Sequence, residues 1–160
     1  MAIVLVRVDE RLLHGQVILG WGHELRPDRY VLVDDDLAAS DWEQEFYRLA
    51  VSGEAEVVFS TVDGARARLD EWRDDPARTI LLVRDIPSVR RLARDAALAG
   101  LEVNLGGLHH GTGRRKVLPY LFLGESDLDD LRAIAASGVE VSARDLPDTA
   151  RVPLASLVEE

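Results

Sequence analysis

The 160-residue sequence contains no cysteine. That removes disulfides, thiol catalysis and Cys-based zinc sites, and it suits a cytoplasmic location. It also lacks any excess of positive charge. With 19 Lys and Arg against 29 Asp and Glu, the formal net charge is −10. A nucleic-acid partner demands a basic footprint, and an anionic lipid surface attracts basic segments, not acidic ones. Lys116 is the sole lysine, which reads as codon usage in a GC-rich genome rather than as function. No apolar run approaches the ~20 residues that span a bilayer. Arg7 and Asp9 interrupt the apolar N-terminal segment, so no signal-peptide core is expected there, and any tie to a membrane goes through a partner. No Gly-Lys-Ser/Thr closes a phosphate loop, and the glycine spacing does not fit the dinucleotide fingerprint. Both absences weigh against a nucleotide-binding enzyme on a Rossmann-like sheet. Repeats, low-complexity segments and linkers are absent as well.

What is present is ordinary for a globular protein: 47% hydrophobic and 30% charged residues. A chain of this length buries roughly 68–70% of its unfolded surface, so residues 1–160 are expected to form one domain. Short apolar runs alternate with amphipathic stretches, which predicts an α/β fold: an open, mostly parallel sheet with helices on both faces. The expected strands are Ile3–Val8, Tyr30–Asp34, Glu56–Ser60, Thr79–Val83, Glu102–Leu105, Leu118–Leu123 and Val139–Ser142. A helix is expected from Val17 through Leu25. Another follows a Ser40/Glu43 capping box and runs to about Val51. A third spans Val62 to Trp72 with Val62, Ala65, Leu69 and Trp72 on one face. The next runs from Pro87 to Gly100. A further helix opens at Ser126/Asp129, with Leu128, Leu131 and Ile134 inward, and a short one begins at Pro153. Gly106–Lys116 is the one long irregular stretch.

The densest chemistry lies in Arg7-Val8-Asp9-Glu10-Arg11-Leu12-Leu13-His14-Gly15-Gln16-Val17. It begins where an apolar strand stops and ends where a helical pattern starts, so it forms a turn at the carboxyl edge of the sheet, where such folds bind ligands. A lone His or Asp at a helix start is commonly a cap or a surface residue. Here an imidazole, a guanidinium and the free amides of a helix start fall together, a set suited to a phosphoryl group. His14 is the candidate nucleophile, since imidazole is partly neutral near neutral pH. Arg11 can hold two phosphate oxygens with its planar fork, or form a surface ion pair with Asp9 or Glu10. Asp9 suits orienting Arg11 or His14 better than facing phosphate, because two anions repel. Gly15 and Gln16 offer first-turn N–H groups, and Gly15 lets backbone approach a phosphate.

Elsewhere, Asp34-Asp35-Asp36 reads as solvated charge and helix capping rather than a receiver-type magnesium site, because Asp63 and Lys116 fit the other required positions poorly. Gly106 and Gly107, leading into His109-His110-Gly111-Thr112-Gly113, form either an anion nest beside the His14 turn or a plain flexible loop. Adjacent histidines could ligate a metal, but no third ligand is evident, so no metal and no cofactor are expected. Arg114, Arg115 and Lys116 form a cationic run that could steer a phosphorylated partner or sugar phosphate.

The turn resembles the signature of the IIB subunits of the mannose/fructose/sorbose family of the bacterial sugar phosphotransferase system, roughly Arg-Ile-Asp-Asp-Arg-Leu-Ile-His-Gly-Gln-Val followed by a Trp, here Trp21. Val31-Leu32-Val33-Asp34-Asp35, Val103-Asn104-Leu105-Gly106-Gly107-Leu108, and Gly138-Val139-Glu140-Val141 with Leu146-Pro147 are similar to later segments of that family. The likeness runs along essentially the whole chain. It implies a protein-N(pi)-phosphohistidine–sugar phosphotransferase: a phosphocarrier that receives a phosphoryl group on His14 from a phosphorylated IIA protein or domain. It then passes the group to a sugar held by a IIC/IID membrane permease. The implied location is cytoplasmic, or peripheral to the inner membrane through that permease. A regulatory phosphoprotein using the same His14 without transport is the alternative. The residues leave open the sugar, the imidazole nitrogen and the oligomeric state, a homodimer included. Two departures stand out: Glu10 replaces the family's usual Asp, and Leu118-Pro119-Tyr120 stands where the family continues toward a Thr-Lys pair.

Overall fold

The computed structural model describes residues 2–158. Nine strands occur: β1 (Ile3–Val8), β2 (Arg29–Val33), β3 (Glu56–Ser60), β4 (Thr79–Val83), β5 (Glu102–Leu105), β6 (Arg114–Leu118), β7 (Leu121–Gly124), β8 (Glu140–Ala143) and β9 (Val152–Pro153). Seven form one sheet in the order β3-β2-β4-β1-β5-β8-β9. The first six pair in parallel, and β9 closes the edge antiparallel to β8. Strands β2 and β4 are buried along their whole length, which is why each runs on into consecutive Val, Ile and Leu, Val31–Val33 and Ile80–Val83.

Helices cover both faces, as the alternation predicts. On one face, α4 (Val62–Asp74), α5 (Ile86–Leu92) and α6 (Glu125–Ala136) pack Ala65, Leu69, Trp72, Val89, Leu92, Leu131 and Ile134 onto the sheet. On the other face, Leu12, Leu13 and Val17, with Leu37 and Val51 from α2 (Asp35–Ala38) and α3 (Asp41–Val51), cover Tyr30, Leu32, Ile80 and Leu82. Each fully buried aliphatic side chain contributes on the order of 1.5–3 kcal/mol. The helix after His14 starts as a π-helical segment, Gln16–Trp21, and continues as α1 (Gly22–Leu25). Gly20 permits this segment to meet the C-terminal loop, since a Cβ there would lie 2.9 Å from Leu146.

Several expectations are corrected. Gly106–Lys116 is not irregular throughout: Arg114, Arg115 and Lys116 lie in β6, which pairs antiparallel with β7 as a hairpin. The strand expected at Leu118–Leu123 is therefore the turn and second arm of that hairpin. The helix after Pro87 stops at Leu92, because Asp95 and Ala96 take left-handed φ values of 56° and 57° that an α-helix cannot accommodate. Ser40 stands at the N-cap of α3, but its side chain makes no capping bond. Helix α6 is capped by Asp127, which accepts the Gly124 N–H at 2.9 Å, not by a Ser126/Asp129 pair. The acidic triplet behaves as expected. Asp34 accepts the Leu37 N–H at 3.0 Å, Asp35 accepts the Val62 N–H at 2.9 Å, and Asp36 is exposed.

Strand order fixes where a ligand can sit. The chain leaves β1 toward β2 on one side and later returns from β4 to β5 on the other. The connections diverge at the carboxyl end of β1, the place where open parallel sheets form their crevice.

Candidate functional site

The carboxyl end of β1 is built around one carboxylate. Asp9 is fully buried, one residue past the strand, where its N–H donates to Val83 of β4 at 2.9 Å. The chain then turns sharply: Leu12 N–H donates to Asp9 C=O at 2.9 Å, with Leu12 at a φ of 55°. A left-handed leucine costs roughly 1–2 kcal/mol. Its side chain is fully buried, and that burial offsets the strain. The turn throws Arg11 outward and brings His14 back over Asp9.

His14 Nε2 lies 2.9 Å from Asp9 Oδ2. An ionised carboxylate only accepts hydrogen bonds, so Nε2 carries the proton and Nδ1 keeps its lone pair. The His14 side chain is 16% exposed, Arg11 is 43% exposed, and Asp9 is sealed beneath both. Burial pushes the Asp9 carboxyl up. The bond from His14, the Arg7 guanidinium and the Arg11 N–H at 3.1 Å outweigh that, and it stays below its ordinary range.

Sequence reasoning missed the residue beneath it. Arg7 is fully buried in β1. Its guanidinium donates to Asp9 Oδ2 at 3.3 Å, Asn104 Oδ1 at 2.6 Å, and the carbonyls of Arg144 and Asp145 at 2.9 and 3.1 Å. The Trp21 ring lies 5.5 Å from its Cζ, and the Trp21 indole also donates to the Asp145 carbonyl, at 3.0 Å. Burial draws the Arg7 guanidinium below its usual range, with Asp9 opposing the shift. The only local signal was a cation inside an otherwise apolar strand.

The other candidates fall into two groups. Arg11 and Gln16 belong to the site: Arg11 donates to Gln16 Oε1 at 3.1 Å, and its Nε lies 3.6 Å from Asp9 Oδ1. Gly15 is helical, with a φ of −50°, so its backbone does not require glycine. A Cβ there would meet nothing within 4 Å, so what the position supplies is open space beside His14. Gly106 and Gly107 also reach the site, but not as an open anion nest. The Gly106 N–H is bonded to Val8 C=O at 2.8 Å, and the Gly107 N–H points to Asp9 Oδ2 at 3.4 Å. Their glycine character answers crowding: a Cβ on Gly106 would overlap the Arg7 guanidinium, and one on Gly107 would lie 3.3 Å from Arg11. The second group is the cationic run. Arg114 donates to His109 C=O at 3.1 Å and faces Asp127 at 3.8 Å, so it braces the hairpin. Arg115 and Lys116 are exposed.

Two contacts were not expected. Glu10 accepts from the His109 backbone N–H and pairs with its Nδ1, which ties the loop after β5 to the His14 turn. Tyr47 of α3 donates to the Arg11 carbonyl at 3.3 Å. Among the described residues, no group of three or more His, Asp or Glu is placed to hold a metal ion.

A carboxylate that fixes one imidazole nitrogen, a free second nitrogen and a half-exposed guanidinium beside open space make a set chemically suited to a phosphoryl group. The family model of the PTS system sorbose subfamily IIB component matches residues 3–160. The chain belongs to this family. It is 28% identical over 148 residues to the N-acetylgalactosamine-specific phosphotransferase enzyme IIB component 1 of Escherichia coli K12, covering 91% of each chain. It is 27% identical to the mannose-specific EIIAB component of the same organism, where all of this chain matches 49% of that protein. Among solved structures, manxB from Thermoanaerobacter tengcongensis superposes with a TM-score of 0.85 at 28% identity, over 99% of this chain and 95% of that one. The sorbose permease IIB domain of Klebsiella pneumoniae shares the fold, with a TM-score of 0.87 at 22% identity. As a IIB component, the protein is a phosphotransferase that accepts a phosphoryl group from IIA and transfers it to sugar, with IIA and the IIC/IID permease as its partners. These comparisons support the transport reading rather than the regulatory one.

Proposed function

We propose that His14 is the residue phosphorylated, and that Nδ1 is the atom. The observation that carries this is the 2.9 Å contact between His14 Nε2 and the buried Asp9 carboxylate, which leaves Nδ1 as the only free lone pair on the ring. In the first half-reaction the Nδ1 lone pair attacks phosphorus, and the bond to the IIA donor group breaks. Asp9 stabilises the positive charge that the ring gains. Arg11 swings from Gln16 onto the equatorial oxygens, and the first-turn amides of Gly15 and Gln16 face the same space. In the second half-reaction a sugar hydroxyl attacks phosphorus, the N–P bond breaks, the hydroxyl proton passes to water and Nδ1 regains its lone pair. Asp9 and Arg7 act as positioning residues, and neither touches the phosphoryl group.

The chain works as one domain over residues 1–160, of which residues 1, 159 and 160 lie outside the described range. Its place is the cytoplasmic side of the membrane, held there through the permease. No helix among the described residues is long and apolar enough to cross a membrane. Exposed Arg115 and Lys116 steer the phosphorylated donor. The test is labelling from phosphoenolpyruvate through the general proteins and IIA, followed by mapping of the labelled atom. His14→Ala should abolish an acid-labile, base-stable label, while His109→Ala and His110→Ala should retain it. Label persisting in the His14 variant, or phosphate found on Nε2, would reject the assignment.

A further inference from the structure

Among the described residues four large apolar side chains are left in solvent: Leu19 at 77%, Trp42 at 75%, Phe46 at 64% and Leu49 at 69% exposed. Three of them stand on α3 at positions i, i+4 and i+7, so they form one stripe along the helix. The opposite side of α3 is committed inward: Val51 is buried, and Gln44 donates to the carbonyls of Leu37 and Ala38 at 3.1 and 3.2 Å. With aromatic side chains worth roughly 150–250 Å² each, the stripe presents roughly 300–500 Å². A patch of that size matches the largest found on a typical monomer, and such patches are often functional. The stripe also adjoins the phosphoryl site, because Tyr47, between Phe46 and Arg48, donates to the Arg11 carbonyl.

We infer that the Trp42–Phe46–Leu49 face of α3 is the surface that docks the chain on the cytoplasmic face of its membrane permease. The inference rests on the relay function given above, and the choice of occupant rests on charge and on how long each partner stays. Asp36, Asp41, Glu43 and Glu45 frame the stripe, with Arg48 as the cation among them, held 3.6 Å from Glu45. The cytoplasmic loops of membrane proteins carry an excess of Lys and Arg, so an acidic rim around an apolar centre fits that surface. A second copy fits less well. Two such stripes together would set the same acidic rim against itself, and like charges facing each other across an interface disfavour the pairing. Anionic lipid is repelled by the same rim. A IIA protein must arrive and leave at every turnover, whereas apolar centres are characteristic of lasting partners.

The test uses the full chain with permease-containing membrane vesicles and phospho-IIA. Two variants are compared with the wild type: Trp42→Ser/Phe46→Ser, and Asp41→Asn/Glu45→Gln, which keeps the stripe but discharges the rim. Total protein-bound phosphate is followed, so the result does not depend on which residue carries it. Both variants should take label from phospho-IIA at the wild-type rate. In sugar phosphorylation, the stripe variant should raise the KM for this protein at least tenfold. The rim variant should raise it about threefold at low salt and converge on wild type as salt rises. An unchanged KM in both variants overturns the inference. Slower labelling by phospho-IIA with an unchanged permease KM assigns the stripe to the donor and overturns it too. A wild-type dimer that the stripe variant dissociates, with KM unchanged, would give the stripe to a second copy.

Discussion

Replacing Asp9 by Asn tests the central geometry with almost no change of shape. Asp9 Oδ2 accepts from His14, Arg7 and Gly107, and Oδ1 accepts from the Arg11 amide. An asparagine has one oxygen to offer. With its oxygen toward His14, its NH2 group meets the Arg11 N–H donor to donor. With the amide flipped, NH2 faces Nε2, the ring shifts its proton to Nδ1, and the nucleophile is lost. Either way Arg7 loses its counter-charge. Breaking a buried ion pair costs about 3–5 kcal/mol, and because an acceptor survives in one orientation the lower end, about 3 kcal/mol, is expected. In Ser-His-Asp enzymes the same exchange costs about 10⁴ in kcat through the wrong tautomer, so a loss of about 10²–10⁴ in phosphorylation by phospho-IIA is expected here. Stability by urea titration adds a pH signature. Asp9 is held below its ordinary carboxylate range, so its contribution is complete above the unfolded value, about pH 4, and is lost as pH falls through the lower folded value. The part of the stability gap between wild type and Asp9→Asn that the Asp9 carboxylate itself contributes should therefore persist at pH 5 and shrink only in stronger acid. A folded variant phosphorylated within threefold of the wild-type rate would refute the tautomer argument.

Two further substitutions separate chemistry from steering. Arg11→Ala should slow transfer about 10²-fold, as expected for a charge-assisted fork acting in the transition state. Its effect on stability should be within about 1 kcal/mol because the side chain is half exposed. Arg11→Lys should restore only part of the rate, and full rescue in a single-turnover assay would show that charge alone suffices. Neutralising Arg115 and Lys116 together should slow association with phospho-IIA at low salt, with the deficit fading as salt rises, and should leave reactivity toward a small phosphodonor unchanged.

Much of this molecule is legible in its sequence, for reasons that also explain what is not. The bounds of β1, β3, β4 and β5 follow directly from short apolar runs. The inward face of α4 follows from its period. The His14 turn is marked by an unusual concentration of ionisable residues at a strand end. By contrast, β6 contains Arg114-Arg115-Lys116 and carries no apolar alternation. Its pairing comes from β7 on the far side of a tight turn, so no local signal distinguishes it from a loop. The break after Leu92 falls in an Ala-rich stretch without glycine or proline, so nothing local marks its left-handed residues. Arg7 is the most instructive case. A guanidinium can be buried only where several acceptors converge, and its acceptors come from β5 and from the loop after β8.

On the phosphorylation of His14 proposed above, Arg7 near the end of β1 and Arg11 in the turn divide one task. Before phosphorylation the site holds Arg7 and Arg11 against Asp9, with a neutral imidazole, leaving one net positive charge. A phosphoryl group adds about −1.5 to −2. Arg7 cannot serve that group: it is buried, bonded to four acceptors and stacked over Trp21. What it does is cancel Asp9, so that the carboxylate that orients His14 does not repel the incoming phosphate. Arg11 is the cation left free to move, held only by Gln16 and a 3.6 Å approach to Asp9. The two should therefore fail in opposite ways. Arg7→Gln keeps some of the hydrogen bonds but leaves Asp9 uncompensated. It should cost about 3–5 kcal/mol of stability and, in the fraction that folds, weaken the preference of Nε2 for the proton. Arg11→Ala should leave stability nearly intact and strike the transfer rate. Nitrogen-15 chemical shifts of the His14 ring report the tautomer directly. A ring that keeps its proton on Nε2 in Arg7→Gln, with wild-type transfer, would show that Asp9 needs no partner and that the burial of Arg7 serves packing alone.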